Sequence, residues 1–507
     1  MNEYRIYDIV DGQQRLTTLI ILLKCIEIQL PENSPDRKEL ANILVKRDGH
    51  LILLQTNNAN EHIFNRFIRE GKRPNKNDLQ IQSDHHLSKA IKECDNFVKE
   101  WKKDKSKGID NLMSLVLHRL DFVVHDTEDS RAVYTVFEVL NSRGLEVDWL
   151  DKTKSMLMGR AFELSSTPDV ASAEIQGLQN LWGEIYRELA KKDISGTEIL
   201  RVTATLHFGA GSGKPRSAED SLDLFRNNCD KFDKPRILSE RILDCARKLT
   251  EVHGDIHLGP VTKILHARVL AVAIKLAEGF SEPERKNLLD QWERVTFRIF
   301  GLHSKDSRTK VGDYIRLAAK IAGNDIDTRT YNQIMAGLQV LGIDYPVDEA
   351  VEEGLVEKDC YENSPELCRY VLWLYEESLA TTLGTGATVD DHELVKIWRM
   401  RAMDSVEHIF PQNPPRGSSW TGKMHRKGQP EEDASEHVGR IGNLILLPIK
   451  LNQQAKTKPF PEKKTIYKKH NLRMVQEVCK KIDWTLDQID SREAKIVKWA
   501  KKRWADL

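Results

Sequence analysis

The chain has 507 residues, of which 40% are hydrophobic and 30% charged, and its 77 Lys and Arg residues balance 77 Asp and Glu residues. This length allows two to four domains with sizeable cores. No stretch approaches the roughly 18 apolar residues of a membrane helix, and the N-terminus has no basic, apolar-cored signal, so a membrane-spanning class is excluded. The seven cysteines are scattered without a CxxC pair, which argues against a disulfide framework and predicts a cytoplasmic protein.

The N-terminal segment predicts a strand over residues 3–10 and an apolar helix over 13–30. The sequence VDGQQRLTTL joins them, and its turn and first helical turn contain Asp11, Gly12, Gln13, Gln14 and Arg15. Free N–H groups and the dipole at a helix N-terminus favour an anion, and an arginine can bind a phosphate. In a structural alternative, Asp11 caps the helix and Arg15 pairs with an acid; the residues alone leave the two interpretations equal.

The middle of the chain is predicted to be a helical scaffold. Residues 110–125 predict a helix that passes into a strand, and 130–144 a helix that stops at Gly144. Helical apolar spacing then predicts helices over 171–191, 196–207, 236–252, 261–279, 284–301 and 364–380.

The sequence GAGSGKP at 209–215 is similar to a phosphate-binding loop, but its glycines are one residue too close and Pro215 replaces the Ser or Thr, so we expect a plain loop.

The C-terminal part carries two linked signals after a predicted linker at 381–391. VEHIFPQNP, residues 406–414, places Glu407 and His408 at the end of a short predicted strand. A second apolar run begins at Asn443, and Asn452 follows on a predicted helix. Taken singly, such a histidine is more often structural, and an asparagine at a helix start is more often an N-cap. Their conjunction favours a nuclease, because phosphodiester cleavage requires a base and a means of neutralising phosphate charge.

This order resembles the HNH, or His–metal finger, motif, a β-hairpin followed by a helix around one divalent cation, Mg²⁺ or Mn²⁺. The resemblance implies that His408 is the general base and that Asn443 braces the hairpin and orients the histidine. Glu407 and Asn452 would be the metal ligands, although the motif more often has aspartate and histidine there. The zinc-binding cysteines of many members are absent, so no structural zinc is expected.

Charge adds a second argument for a polyanionic substrate. Residues 448–507 contain 13 Lys and 3 Arg against 7 acidic residues, a net charge of +9. Lys456, Lys463 and Lys464 lie where a DNA backbone would run in the motif. For any single lysine, a solvated surface position remains the alternative.

Both ends of the chain resemble one family. DGQQRLTT, VFEVLNSRG and LDKTKSML are similar to the N-terminal domain of GmrSD-type, modification-dependent (type IV) restriction endonucleases, which is related to the ParB/sulfiredoxin fold. The C-terminal motif resembles the partner nuclease domain. The resemblance implies a nucleoside triphosphate site at 11–15, with Glu138, Asn141 and Arg143 beside it. Family members carry further strands before DGQQR, so we expect an N-terminally truncated domain or a start codon placed too late.

These features predict a mainly α fold with small α+β parts. The expected domains are a ParB/sulfiredoxin-like remnant that binds nucleotide at 1–160, a helical region at 161–380, and a ββα-metal nuclease with basic C-terminal helices at 381–507. The predicted function is a metal-dependent DNA endonuclease of phage defence, acting on modified DNA and regulated by nucleotide. The alternatives are a non-catalytic ParB-like DNA-binding protein and a ribonuclease toxin, and self-association as a homo-oligomer is left open.

Overall fold

The computed structural model describes residues 9, 12–46, 52–54, 61–75, 78–79, 82–104, 108–124, 148–210, 213–261, 263–323, 330–357, 359–382, 397–398 and 401–507. This part of the chain is mainly helical with one two-stranded sheet, which confirms the predicted fold class. None of the described helices is both long and apolar enough to span a bilayer. Two compact units are formed, residues 1–210 with 215–254 and residues 211–214 with 255–507. Their boundary lies inside the region 161–380, and the threefold division at 160 and 380 stays a prediction.

The first unit is built from helices. They are α1 (Gln13–Gln29), α2 (Pro35–Leu44), α3 (Glu61–Glu70), α4 (Gln82–Lys103), α5 (Ile109–His118), α6 (Trp149–Glu163), α7 (Pro168–Ala190), α8 (Gly196–Phe208), α9 (Ala218–Asn227) and α10 (Lys234–Gly254). Helix α1 is buried on all sides in its second half and packs against α2, α4 and α5. Even Lys24 and Glu27 are buried there, as an ion pair of 2.5 Å.

The second unit contains the hairpin and further helices. The helices are α11 (Leu265–Leu276), α12 (Glu282–Thr296), α13 (Val311–Ala322), α14 (Tyr331–Leu341), α15 (Val347–Glu352), α16 (Cys360–Asn363), α17 (Pro365–Thr382), α18 (Ala402–Ser405), α19 (Ile449–Ala455), α20 (Phe460–Tyr467), α21 (Arg473–Cys479) and α22 (Leu486–Arg503). The strands are β1 (Val406–His408) and β2 (Leu444–Leu446). Helices α17 and α21 pack on the strands, and α22 packs on the turn before β2.

The helices predicted from apolar spacing are confirmed within a few residues. They correspond to α1, α7, α8, α10, α11, α12 and α17, and a π-helical turn at Phe297–Leu302 continues α12. Local signals explain the starts: the Ser281 hydroxyl and the Glu284 side chain form a capping box at α12. The described residues of the loop at 209–215 are not helical, as predicted. The predicted strand at 3–10 (apart from residue 9), the helix at 130–144 and most of the linker at 381–391 lie outside the described residues.

Two predictions need correction. The predicted strand after α5 is wrong for the described residues, because residues 119–124 follow the helix without pairing to a described strand. The sequence argument against disulfides is wrong for one pair, since Cys360 and Cys368 form a disulfide with Cα atoms 6.2 Å apart. The turn between α16 and α17 brings these two cysteines together, and scattered positions in a sequence do not reveal such proximity.

The C-terminal end of α22 is held by a buried carboxylate of α12. Glu293 is almost fully buried and accepts hydrogen bonds of 2.9 Å from the Tyr370 hydroxyl and the Trp504 indole N–H. The Arg503 guanidinium forms an ion pair of 2.8 Å with it. Asp506 and Leu507 bind nearby groups of the same scaffold, including Gln291. Helix α22 is thus joined to the other helices of the second unit.

Replacement of Glu293 by glutamine is expected to lower the free energy of unfolding by about 2–3 kcal/mol. The substitution removes a charged hydrogen-bond acceptor and also the negative charge that balances the Arg503 guanidinium. Urea unfolding followed by circular dichroism measures the change. The matched control is Glu282→Gln at the exposed start of the same helix, which should leave the midpoint unchanged. Equal midpoints for the two variants would contradict the role assigned to Glu293.

Candidate active site

A short antiparallel hairpin positions the predicted site residues. Glu407 lies opposite Ile445 and His408 opposite Leu444. One residue beyond the ladder, the N–H of Ile409 donates to the carbonyl of Asn443 at 2.9 Å. All six strand residues are buried, and helix α19 follows β2 directly. The order strand, long loop, strand, helix is the one predicted from the sequence.

The amide of Asn443 ties the two ends of the long loop together. Its Oδ1 accepts from the N–H of Phe410 at 2.8 Å and from the indole N–H of Trp484 at 3.1 Å. Its Nδ2 donates to the carbonyls of Phe410 and Val438, at 2.9 and 2.8 Å. The side chain is fully buried. The hydrogen-bonding capacity of the amide is therefore saturated by groups from both ends of the long loop and from the turn before α22.

Helix α22 supports the same turn from outside. A Cβ on Gly442 would lie 2.3 Å from the carbonyl oxygen of Ile489, so only glycine allows this close approach. The Nη1 of buried Arg492 donates to the carbonyls of Ile441, Gly442 and Leu444 at 2.6–3.1 Å. Burial lowers the pKa of Arg492 to about 10. This value is still above neutral pH, so the guanidinium remains charged. Sequence reasoning missed Arg492, although an arginine three residues after the buried Ile489 on one helix face was a usable signal.

His408 is buried beside an aromatic ring. It is 8% exposed, and the Tyr361 ring meets it edge-on with the ring centroids 4.4 Å apart. Its Nε2 is buried and forms no hydrogen bond with any described residue. Burial, followed by the positive charge of Lys463, lowers the pKa of His408 to about 3. The imidazole is therefore neutral at pH 7, which is the state that a general base requires.

Glu407 lies on the opposite face of β1 from His408, and there it binds a lysine. Successive residues of a strand point to opposite faces, and the Glu407 carboxylate contacts α20, where it accepts from the Lys463 ammonium at 2.7 Å and from the Tyr467 hydroxyl at 2.9 Å. The same ammonium donates to the backbone carbonyl of His408 at 2.7 Å. Burial raises the pKa of Glu407, and Lys463 opposes this shift. Sequence reasoning missed Tyr467, and an aromatic residue four positions after Lys463 was its only signal.

Two predicted roles of these residues, Glu407 as a metal ligand and Lys463 as a DNA contact, are not matched by the contacts seen here and stay predictions. Lys463 does not contact a DNA backbone, because its side chain has no exposed surface and its ammonium is bound to Glu407. Glu407 is not available as a cation ligand, because an ammonium already lies against its carboxylate. A sequence reports the charge of a lysine but not whether the fold turns it inward. Lys456 is exposed, while Lys464 is partly exposed with its ammonium donating to the carbonyl of Lys481.

Asn452 lies on α19 close to the start of β1. Its Nδ2 donates to the backbone carbonyls of Asp404 and Val406 at 3.1 and 3.2 Å. The amide oxygen, the atom that could bind a cation, lies on the other side of the amide. Within the described ranges there is no group of three or more His, Cys, Asp or Glu side chains able to hold a metal. As arranged here, Glu407 and Asn452 do not fit the single cation that the sequence predicted.

The N-terminal motif is described only in part. Gly12 has a φ of 82°, and α1 begins at the next residue without a side-chain cap. The Gln13 amide donates to the carbonyl of Ile9 at 2.6 Å, and the Arg15 guanidinium lies beside Gly12. Gln13, Gln14 and Arg15 are exposed at the helix start. The remaining predicted nucleotide-site residues, Asp11, Glu138, Asn141 and Arg143, lie outside the described residues, so the predicted pocket stays a prediction.

Comparison with protein-family models finds two matches. The model of the C-terminal domain of GmrSD restriction endonucleases matches residues 345–499, which include the hairpin and α19 to α21. The model of the GmrSD restriction endonuclease N-terminal domain matches residues 1–158, which include the DGQQR motif. No curated protein matches the chain significantly. The two domain matches, in the order and at the ends predicted from the motifs, show that the chain belongs to the GmrSD restriction endonucleases, which are restriction-type DNA endonucleases.

Proposed function

We propose that this endonuclease hydrolyses DNA phosphodiesters at the C-terminal hairpin and that His408 is the general base. The observation that carries the proposal is a histidine at the end of a strand braced by Asn443, whose buried Nε2 has no hydrogen-bond partner among the described residues. A neutral imidazole nitrogen that has no competing hydrogen bond can accept a proton from an attacking water that reaches it. The predicted HNH class and the order of the elements support the same assignment.

The lowered pKa of His408 has a consequence for catalysis. A base with a pKa of about 3 is weak at neutral pH. A phosphodiester that enters the site brings a negative charge next to the imidazole, and an opposite charge favours the protonated form. The substrate itself then raises the pKa of His408 toward neutrality. We propose that the base is strengthened only when DNA is bound.

No step of this proposal passes through a cation, because Glu407 is bound to Lys463 in the described arrangement. We further propose, from the family resemblance, that the substrate is modified DNA and that a nucleoside triphosphate binds at residues 11–15 and regulates cleavage. Arg15 and the N-terminus of α1 support an anion at that position.

The decisive experiment incubates the protein with plain and modified phage DNA, each with and without nucleoside triphosphates. Mg²⁺, Mn²⁺ and a chelator are compared, and RNA is included as a second substrate. Cleavage of DNA is expected, with modified DNA and nucleotide increasing the rate. Salt-sensitive binding without cleavage would favour the non-catalytic DNA-binding alternative, and cleavage of RNA alone would favour the ribonuclease alternative.

The basic surface at the turn between α21 and α22 is the proposed contact for the DNA backbone. Lys480 and Lys481 are exposed in the turn before α22, next to Ile482, which is 93% exposed. Lys464 joins them through its hydrogen bond to the carbonyl of Lys481. Lysines near phosphates release counterions from DNA, so each contact adds about 0.9 to the slope of affinity against salt on logarithmic axes.

Replacement of Lys480 and Lys481 by glutamine is expected to weaken binding equally for all DNA sequences and to reduce that slope by about two. Fluorescence anisotropy at several salt concentrations measures both quantities. The matched control replaces Lys286 and Lys305, two exposed lysines of the helical part of the same unit, and should leave the slope unchanged. A slope identical to that of the wild type in the Lys480 and Lys481 variant would contradict the assigned surface.

A further inference from the structure

The ion pair beneath the hairpin has an unusual arrangement for a charged side chain. The Lys463 ammonium is completely buried and reaches two oxygen atoms from consecutive residues, the Glu407 carboxylate and the His408 carbonyl, each at 2.7 Å. The Tyr467 hydroxyl, one helical turn after Lys463, donates to the same carboxylate oxygen at 2.9 Å. A single side chain thus joins the side chain of one strand residue to the backbone of the next.

Stability alone gives a weak reason for such a pair. Burying two charges carries a large desolvation cost, and replacing a buried pair by apolar residues of similar volume is often neutral or stabilising. The hairpin and the helices around it are already stabilised by an extensive apolar core and by the hydrogen bonds of the Asn443 amide. The pair also has a specific geometric effect, because Lys463 holds the carbonyl of the peptide group after the His408 Cα while the N–H of that group, from Ile409, binds the Asn443 carbonyl.

We propose that Lys463 is a positioning residue for the hydrolysis at His408, acting through Glu407 and the His408 carbonyl. This inference rests on the proposed function. With the Glu407 side chain and the His408 carbonyl both held toward α20, the His408 side chain is directed to the opposite face of β1, where it meets Tyr361. Lys463 has no exposed surface, so it orients the base without touching DNA.

Lys464, the residue next to Lys463, differs from it in exposure and in its hydrogen-bond partner. Lys464 follows on the same helix and is partly exposed, with its ammonium on a backbone carbonyl of the turn after α21. Two adjacent lysines of one motif therefore have different expected effects. A change at Lys464 should alter DNA affinity, whereas a change at Lys463 should alter the rate of the chemical step.

The experiment compares Lys463→Met with the double variant Glu407→Gln/Lys463→Met. The single variant leaves a buried carboxylate without its counter-charge, so it is expected to lose both thermal stability and activity. The double variant buries no charge and should recover the melting temperature of the wild type. Because a methionine side chain cannot donate to the His408 carbonyl, the kcat of the double variant on DNA should still fall by about 10²-fold with KM within about twofold. Steady-state cleavage kinetics and thermal unfolding measure these quantities.

The matched control applies the same two substitutions to another buried lysine–glutamate pair, Lys24→Met/Glu27→Gln in α1. It should leave kcat on DNA unchanged when assayed without nucleotide. If the Glu407→Gln/Lys463→Met variant has the wild-type kcat or fails to fold, the role of the pair is only structural and the proposal is overturned. Unchanged kcat with a raised KM and a smaller salt dependence would make Lys463 a DNA contact, which also overturns it. If the wild-type protein cleaves no nucleic acid, the proposed function itself is contradicted. This result differs from both outcomes for the Lys463 variants.

Discussion

Replacement of His408 by alanine is expected to lower the rate of DNA cleavage by about 10²–10⁴-fold, the contribution usual for a positioned general base. The imidazole has a buried, unpartnered nitrogen at the end of β1 within the described part of the chain, and alanine provides no proton acceptor there. The fold should survive, because Asn443 and Arg492 brace the hairpin through contacts that do not include the histidine ring. Single-turnover cleavage of plasmid DNA measures the rate, and circular dichroism checks the fold.

A matched control separates the loss of a base from the loss of any histidine in this domain. His425 lies in the loop between the two strands, where its Nδ1 is 2.7 Å from the carbonyl of Gly422. His425→Ala should retain cleavage within about twofold, since this ring is not one of the braced hairpin residues. Full activity of His408→Ala on every nucleic acid tested would end the assignment of His408.

Replacement of Asn443 by alanine is expected to lower the free energy of unfolding by about 4–5 kcal/mol, the largest stability effect expected in this domain. Four hydrogen bonds are lost, and the backbone groups of Phe410 and Val438 and the indole N–H of Trp484 remain buried without partners. Each such group costs about 1–3 kcal/mol when it is left unsatisfied, with some relief from local rearrangement. Urea unfolding gives the value, and nuclease activity should be lost under conditions where the protein is still folded.

The control for this prediction is Asn228→Ala. That amide lies exposed at the end of α9 and donates one hydrogen bond to the carbonyl of Leu224, so its removal should change the unfolding midpoint little. A loss of less than about 1 kcal/mol for Asn443→Ala would show that the loop ends are held by other contacts, and the bracing role would have to be abandoned.

Local patterns were sufficient for much of the architecture. Helical periodicity depends on neighbours three and four residues apart, so α7, α10 and α17 could be predicted within a few residues. The sequences VEHIFP and GNLILL likewise predicted two short apolar strands, and Asn452 was correctly placed on the helix that follows them. The family could also be predicted, because its motifs are contiguous stretches that do not depend on the fold for recognition.

The partners of the site residues could not be predicted in the same way. Glu407 and Lys463 are 56 residues apart and meet because α20 returns to the hairpin, and the sequence provided only the chemical types of the two side chains. Taken as a basic tail, Lys463 seemed suited to DNA, and Glu407 to a cation. The fold neutralises each with the other.

The amino-acid sequence by itself therefore determined the helical scaffold, the strand–loop–strand–helix order around His408, and the family. The tertiary structure decided which side chains point inward, where the desolvation of a charge requires an opposite charge within contact distance. That choice depends on how elements far apart in the chain pack against one another. It made Lys463 the internal partner of Glu407, and it placed the His408 ring beside Tyr361 with a buried Nε2 that has no hydrogen-bond partner in the described part of the chain.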